Sequence, residues 1–126
     1  MVLLLQCLEV PIFIVESHNL YLPEEGEMQV TVWHSGENIY GIRVGKSNRD
    51  KYFNHKWKSI EVEIEGCFHR FNLTNGFWHR CPEFRDRGTP IIREWLRSHQ
   101  LLNWPSGQPP KIELNSLGEG KFRLVS

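Results

Sequence analysis

Between Ile60 and Glu65 the chain reads Ile-Glu-Val-Glu-Ile-Glu, apolar and acidic residues in strict alternation. An extended backbone turns successive side chains to opposite faces, so Ile60, Val62 and Ile64 share one surface and the three glutamates the other. A half-buried strand is the only element that uses this pattern well, and β-branched residues favour it further. Gly66 supplies a turn, and Cys67–Thr74 runs back with Cys67, Phe71 and Leu73 expected on one face. The same period recurs in Met28–Trp33, which a turn at Ser35–Glu37 joins to a return strand, Asn38–Val44, as a second hairpin. Lys111–Leu114 and Lys121–Val125, linked through Gly118–Gly120, form a third pair. Leu3–Glu9 and Ile12–Glu16 read as strand-like runs parted by Pro11, and Ser17–Glu27 as a loop broken by Pro23 and Gly26.

One helix signal interrupts the strands. Thr89 is placed to cap and Pro90 to open a helix that carries Ile92, Trp95, Leu96 and His99 on one face and Arg93 and Arg97 on the other. Trp95 is therefore expected in the core, and the helix is expected to stop near Gln100. Seven or eight short strands with one or two helices predict a mainly β domain, a barrel or sandwich with a helix at one end. At 126 residues the chain suits a single domain.

Charge is distributed unevenly along a chain whose formal net charge is zero. Residues 1–42 hold six glutamates and no Lys or Arg; residues 43–58 hold Arg43, Lys46, Arg49, Lys51, Lys56 and Lys58 against the single anion Asp50. Such a chain can present one basic and one acidic face and orient a charged partner. Within 43–58 the cations alternate with Ser47, Asn48, Asn54, Tyr52, Phe53 and Trp57. Fixed cations suit phosphate oxygens, and Arg and Asn suit base edges, although a solvated loop has the same composition. The three cysteines Cys7, Cys67 and Cys81 are odd in number and form no C-x-x-C, which disfavours a disulfide framework and fits a reducing, cytoplasmic setting. No apolar run approaches the ~20 residues of a membrane span, so no membrane partner is expected.

From residue 41 onward the order of segments resembles the DNA-binding pseudobarrel of the B-three superfamily, in particular the recognition domains of certain bacterial restriction endonucleases. The resemblance rests on Gly-Ile-Arg-Val-Gly-Lys-Ser-Asn-Arg-Asp-Lys-Tyr-Phe (41–53), Phe-Asn-Leu-Thr-Asn-Gly-Phe-Trp-His-Arg-Cys-Pro-Glu-Phe-Arg (71–85), Ile-Arg-Glu-Trp-Leu (92–96), the turn 104–110 and the closing Gly-Lys-Phe-Arg-Leu (120–124). It implies an open seven-stranded pseudobarrel whose ends are capped by one or two short α-helices. Two arms would enter the major groove of double-stranded DNA. The first, Gly45–Lys51, would present Lys46, Ser47, Asn48, Arg49, Asp50 and Lys51; the second, 75–80, would present Asn75, Trp78, His79 and Arg80. Arg43, Lys56, Lys58 and Arg87 would meet phosphates. No catalysis, metal or cofactor is implied for this domain, and residues 1–40, which do not match, would face away from DNA or toward a nuclease domain. Chemically, Arg on guanine and Asn on adenine each discriminate by about 1–3 kcal/mol, and Asp50 can accept from cytosine. Plainer roles exist: Asp50 as the ion partner of Arg49 or Lys51, Trp78 as core, and His79 and Arg80 on an inert loop.

Two other classes compete. Cys67, His69, His79 and Cys81 are mirror-symmetric, and if 67–81 were one hairpin they would supply a zinc set of two thiolates and two imidazoles. A protein-interaction module would instead use exposed aromatics and the acidic first third. A nuclease centre is disfavoured: Glu119-Gly-Lys121 has a suitable form, but neither Asp50 nor Asp86 sits in a convincing strand to hold the metal with it.

Overall fold

A computed structural model describes residues 25–36 and 38–126. The strands expected at Leu3–Glu9 and Ile12–Glu16 lie outside the described residues. The rest of the alternating pattern becomes a seven-stranded, nearly closed, barrel-like sheet: β1 (Gly26–Ser35), β2 (Ile39–Arg43), β3 (Ser59–Ile64), β4 (Cys67–Asn72), β5 (Glu83–Arg85), β6 (Lys111–Gly118) and β7 (Lys121–Val125). Among the described residues three short helices accompany it, α1 (Lys46–Tyr52), α2 (Asn75–His79) and α3 (Ile91–Ser98). The strand order is β4-β3-β7-β6-β1-β2-β5, antiparallel except for the parallel β3–β7 pair. This is an open pseudobarrel, and its described residues hold one helix more than the one or two the sequence predicts.

The three predicted hairpins form with clear local causes. β3 and β4 close on the pair Ile64↔Cys67, leaving Glu65 and Gly66 as a two-residue loop. Both have positive φ, 53° and 83°, the geometry whose twist matches the flanking strands. In β3 the alternation holds at every residue, with Ile60, Val62 and Ile64 buried. In β4, Phe71 is buried but Cys67 is exposed, at the rim of a hollow between the β3–β4 turn and α3. Inward residues of all seven strands and the helices make one core, in which Ile42, Val62, Leu114 and Phe122 are fully enclosed.

The edge strands β4 and β5 come back within contact of each other without pairing. Phe71 and Phe84, 5.2 Å apart, meet on the inner side of this seam. The barrel is thus closed by aromatic packing where ladder hydrogen bonds stop.

Helix α3 starts one residue later than Thr89–Pro90 predict. Pro90 is the cap residue and offers no side-chain acceptor. Asp86 does the capping from outside the helix, accepting from the backbone N–H of Ile92 at 2.8 Å and of Arg93 at 3.0 Å. Its own N–H donates to the carbonyl of Tyr40, so this one residue, through its carboxylate and its backbone, ties the start of α3 to β2. Burial pushes this carboxyl above its ordinary value of 3.8, although the N–H donors of Ile92, Arg93 and Ile91 pull it down.

A folded-state pKa above the unfolded one means the native protein holds this proton more tightly. The stability Asp86 contributes through its titration is full below the unfolded value and is lost as pH rises through the raised one. Asp86→Asn keeps one acceptor and removes the titration. Urea unfolding from roughly pH 3 to 7 should show this variant gaining relative to wild type as pH rises. Asp86→Ala, which removes both acceptors, should lose about 1–2 kcal/mol at neutral pH. A constant difference between Asp86→Asn and wild type over that range would refute the assignment.

Candidate nucleic-acid interface

The two expected arms are short helices packed on the barrel, not extended loops. Neither carries an apolar stripe long enough to specify a helix, and specific side chains hold them in place. Asn48 donates its amide hydrogens to the carbonyls of Val44 at 2.9 Å and Gln29 at 3.1 Å, fastening α1 to β1 and to the exit of β2. Tyr52 is buried and its hydroxyl reaches the carbonyl of Glu27.

Arg49 joins the two helices. Its Nη1 donates to the carbonyls of Phe77 at 3.3 Å and Trp78 at 3.0 Å, and its Nε to Asp50 at 3.0 Å. The last carbonyls of a helix have no partner within it and carry partial negative charge, so a guanidinium there satisfies both needs. Two ring contacts reinforce the clasp: Phe53 lies 5.0 Å from Phe77, and His55 4.6 Å from Trp78. Phe53 also stacks on Phe122 of β7 at 4.7 Å, which anchors the junction in the core.

The structure therefore brings the predicted segments 45–51 and 75–80 together but divides their residues. Lys46, Ser47, Asp50, Lys51, Asn75, His79 and Arg80 are exposed; Asn48, Arg49 and Trp78 are half-buried. The donors of Asn48 and of Arg49 are engaged inside the protein, so in this conformation these two hold the surface in place and do not project from it. Asp50 takes the plainer role, as the ion partner of Arg49. Lys51 also lies over the ring of Tyr52, 5.3 Å from its centre. Among the expected phosphate contacts, Arg43 is paired with Glu83 at 3.0 Å, while Lys56, Lys58 and Arg87 are exposed.

The zinc arrangement needs 67–81 to be one hairpin, and it is not. β4 pairs with β3, placing Cys67 opposite Ile64 and His69 opposite Val62, while α2 stands between β4 and Cys81. Among the described residues no three His, Cys, Asp or Glu side chains converge as metal ligands would. Glu119 occupies a tight turn with φ 55°, and Lys121 opens β7. No described helix is long and apolar enough to cross a membrane.

Two residues that the sequence reading did not single out belong to this side of the molecule. Arg70 on β4 and Arg85 on β5 line a cleft along the open seam, together with Arg80 and Arg87. Strand alternation could have turned Arg70 outward, since Phe71 is an inward residue, but the pairing of chain segments across the seam is not written in either strand.

A scan against protein-family models finds no match, and neither does a search of curated proteins or of solved structures.

Proposed function

We propose that this chain is a sequence-specific double-stranded DNA-binding domain of the B-three pseudobarrel kind, without catalysis of its own, serving target recognition for a restriction endonuclease. The single observation that carries this reading is the clasp between α1 and α2. It holds the two segments that bear the candidate base-reading groups side by side on a stiff barrel. Groups fixed in this way keep the spacing that readout of base edges requires. Lys46, Asn75, His79 and Arg80 are the readers favoured by exposure; Lys56, Lys58 and Arg87 are the phosphate contacts.

The test is a selection of bound duplexes from a random pool, followed by titrations of variants. Arg80→Ala should lose about 10-fold or more on the selected duplex and loosen its specificity, the consequence of removing one base contact. Lys58→Ala should weaken all duplexes about equally and reduce the salt slope by about 1. No enrichment of any sequence, together with affinity insensitive to salt, would sink the proposal.

A protein-interaction role draws support from a different region. A mostly apolar hollow of about 510 Å³ lies between the β3–β4 turn and α3, lined by Ile64, Cys67, Ile91 and Trp95 among others. Binding governed by that surface would change little with salt, which separates it from the DNA reading.

A further inference from the structure

We propose that the cleft along the open seam between β4 and β5 is a phosphate-binding groove. On the DNA reading above, it receives successive backbone phosphates of one strand. The placement follows from the strands themselves. Phe71 and Phe84 point inward and meet, so alternation turns Arg70 and Asn72 of β4 and Arg85 of β5 outward along the two lips of the seam. Arg87 is set beside them by the narrow turn through Gly88, φ 85°, that bridges Arg87 to Thr89. Arg80, the base reader at the end of α2, borders one lobe only. The cleft has two lobes of about 360 Å³ each, and Asn72, Arg85 and Arg87 line both. A trough of two lobes with shared walls suits a string of phosphates better than one compact anion.

The charge of the groove is unusually one-sided. Arg70, Arg80, Arg85 and Arg87 form no ion pair or hydrogen bond to another described side chain. Among the described residues the only carboxylate on the lining, Glu83, is held by Arg43 at 3.0 Å. Trp33 also lines one lobe, with its indole laid across Gly41 of β2. Guanidinium groups present paired N–H donors that match phosphate oxygens, which a lysine does not. Charged residues also guard sheet edges against pairing with other chains. Guarding alone, however, does not require Arg70, Arg85 and Arg87 to converge on a trough that also holds Asn72 and Thr74.

Two probes on the full chain test the groove separately from the DNA reading. Pyrophosphate at millimolar concentration should raise the Tm of wild type by several degrees and leave Arg85→Gln/Arg87→Gln unmoved. The glutamines keep most of the side-chain volume, and melting without anion checks that the variant folds. With a random-sequence duplex, the same variant should lower the slope of log K against log salt by about 2. Lys58→Ala should reduce that slope by about 1 while keeping the pyrophosphate shift. If pyrophosphate stabilises the variant as much as wild type, there is no phosphate groove. If the pyrophosphate shift disappears but the duplex slope is unchanged, the groove serves free phosphate compounds and its nucleic-acid role is overturned. If wild type binds no duplex yet keeps an Arg85- and Arg87-dependent pyrophosphate shift, the DNA reading fails and the groove stands. Aggregation of the variant with both bindings intact would identify the arginines as edge guards only.

Discussion

Phe77→Ala is expected to destabilise the protein by about 3–5 kcal/mol, the usual cost of deleting a fully enclosed aromatic ring. Phe77 is 1% exposed and is the only buried residue of α2. Its ring meets Phe53 at 5.0 Å, and Phe53 in turn stacks on Phe122. A helix of five residues is too short to persist by its own hydrogen bonds, so packing has to supply its stability. Without the ring, α2 loses its hold on the barrel, and the carbonyls that receive Arg49 lose their fixed position. Urea unfolding should show the stability loss. Hydrogen exchange in 75–80 should rise beyond what global destabilisation explains. Arg49→Ala makes a useful contrast, because it opens the clasp and leaves the ring in place. It should raise exchange in the same segment at a smaller global cost, about 1–3 kcal/mol for unpaired carbonyls and a lost charged hydrogen bond. Equal protection of 75–80 in Phe77→Ala and wild type would mean that α2 is held by something else.

The strands were legible because their information is local. Ile60–Glu65 needs no partner to declare its buried face, and Met28–Trp33 needs only a turn and a return strand. The elements that escaped the reading lack that local signature. Lys46–Tyr52 is a polar run in which only Tyr52 is buried, so no apolar period announces a helix. It forms because Asn48 and Arg49 find carbonyls in β1, near the exit of β2, and in α2, segments remote in sequence. Glu83–Arg85 holds one inward residue, Phe84, too few for a period of two to show. Helix α3 starts one residue beyond its Thr-Pro signal for a related reason: the capping oxygen comes from Asp86, outside the Ser/Thr-Pro pattern that marks a helix start.

The candidate site divides along the same line. Which segments carry cations can be read from the chain, and their adjacency is an expectation that the clasp satisfies. Which side chains remain available cannot be read there. Arg49 looks like a base reader in the sequence, but its guanidinium lies on the carbonyls of Phe77 and Trp78. Arg70 and Arg85 look like ordinary strand charges until the seam brings them to one cleft. Residue chemistry is local, whereas the fate of a hydrogen-bond donor depends on what the fold places next to it.

Gly41→Ala tests the seam from its other side. On β2, Tyr40 and Ile42 point inward, so position 41 faces out, opposite Trp33 on β1 and Arg85 on β5. The missing side chain is what lets the Trp33 indole lie across β2. A Cβ at this position would stand 2.7 Å from Nε1 of Trp33 and 2.9 Å from Cβ of Arg85, and closer still to the carbonyl oxygen of Phe84. The indole could swing aside, but a backbone carbonyl and a Cβ cannot move without shifting β5. The expected cost is about 3 kcal/mol, the upper part of the range for overpacking, because backbone atoms bear it. Gly76→Ala is the matched control: its Cβ would meet nothing nearer than Thr74 Oγ1 at 3.5 Å, and alanine favours the helix there. It should leave stability unchanged or raise it by about 0.5–1 kcal/mol. Since β5 carries Arg85, Gly41→Ala should also reduce the pyrophosphate shift expected for the groove, even where the fold survives. Wild-type stability and an undiminished shift in Gly41→Ala would show that β5 is not fixed by this contact, and the lip it gives to the cleft would have to be assigned elsewhere.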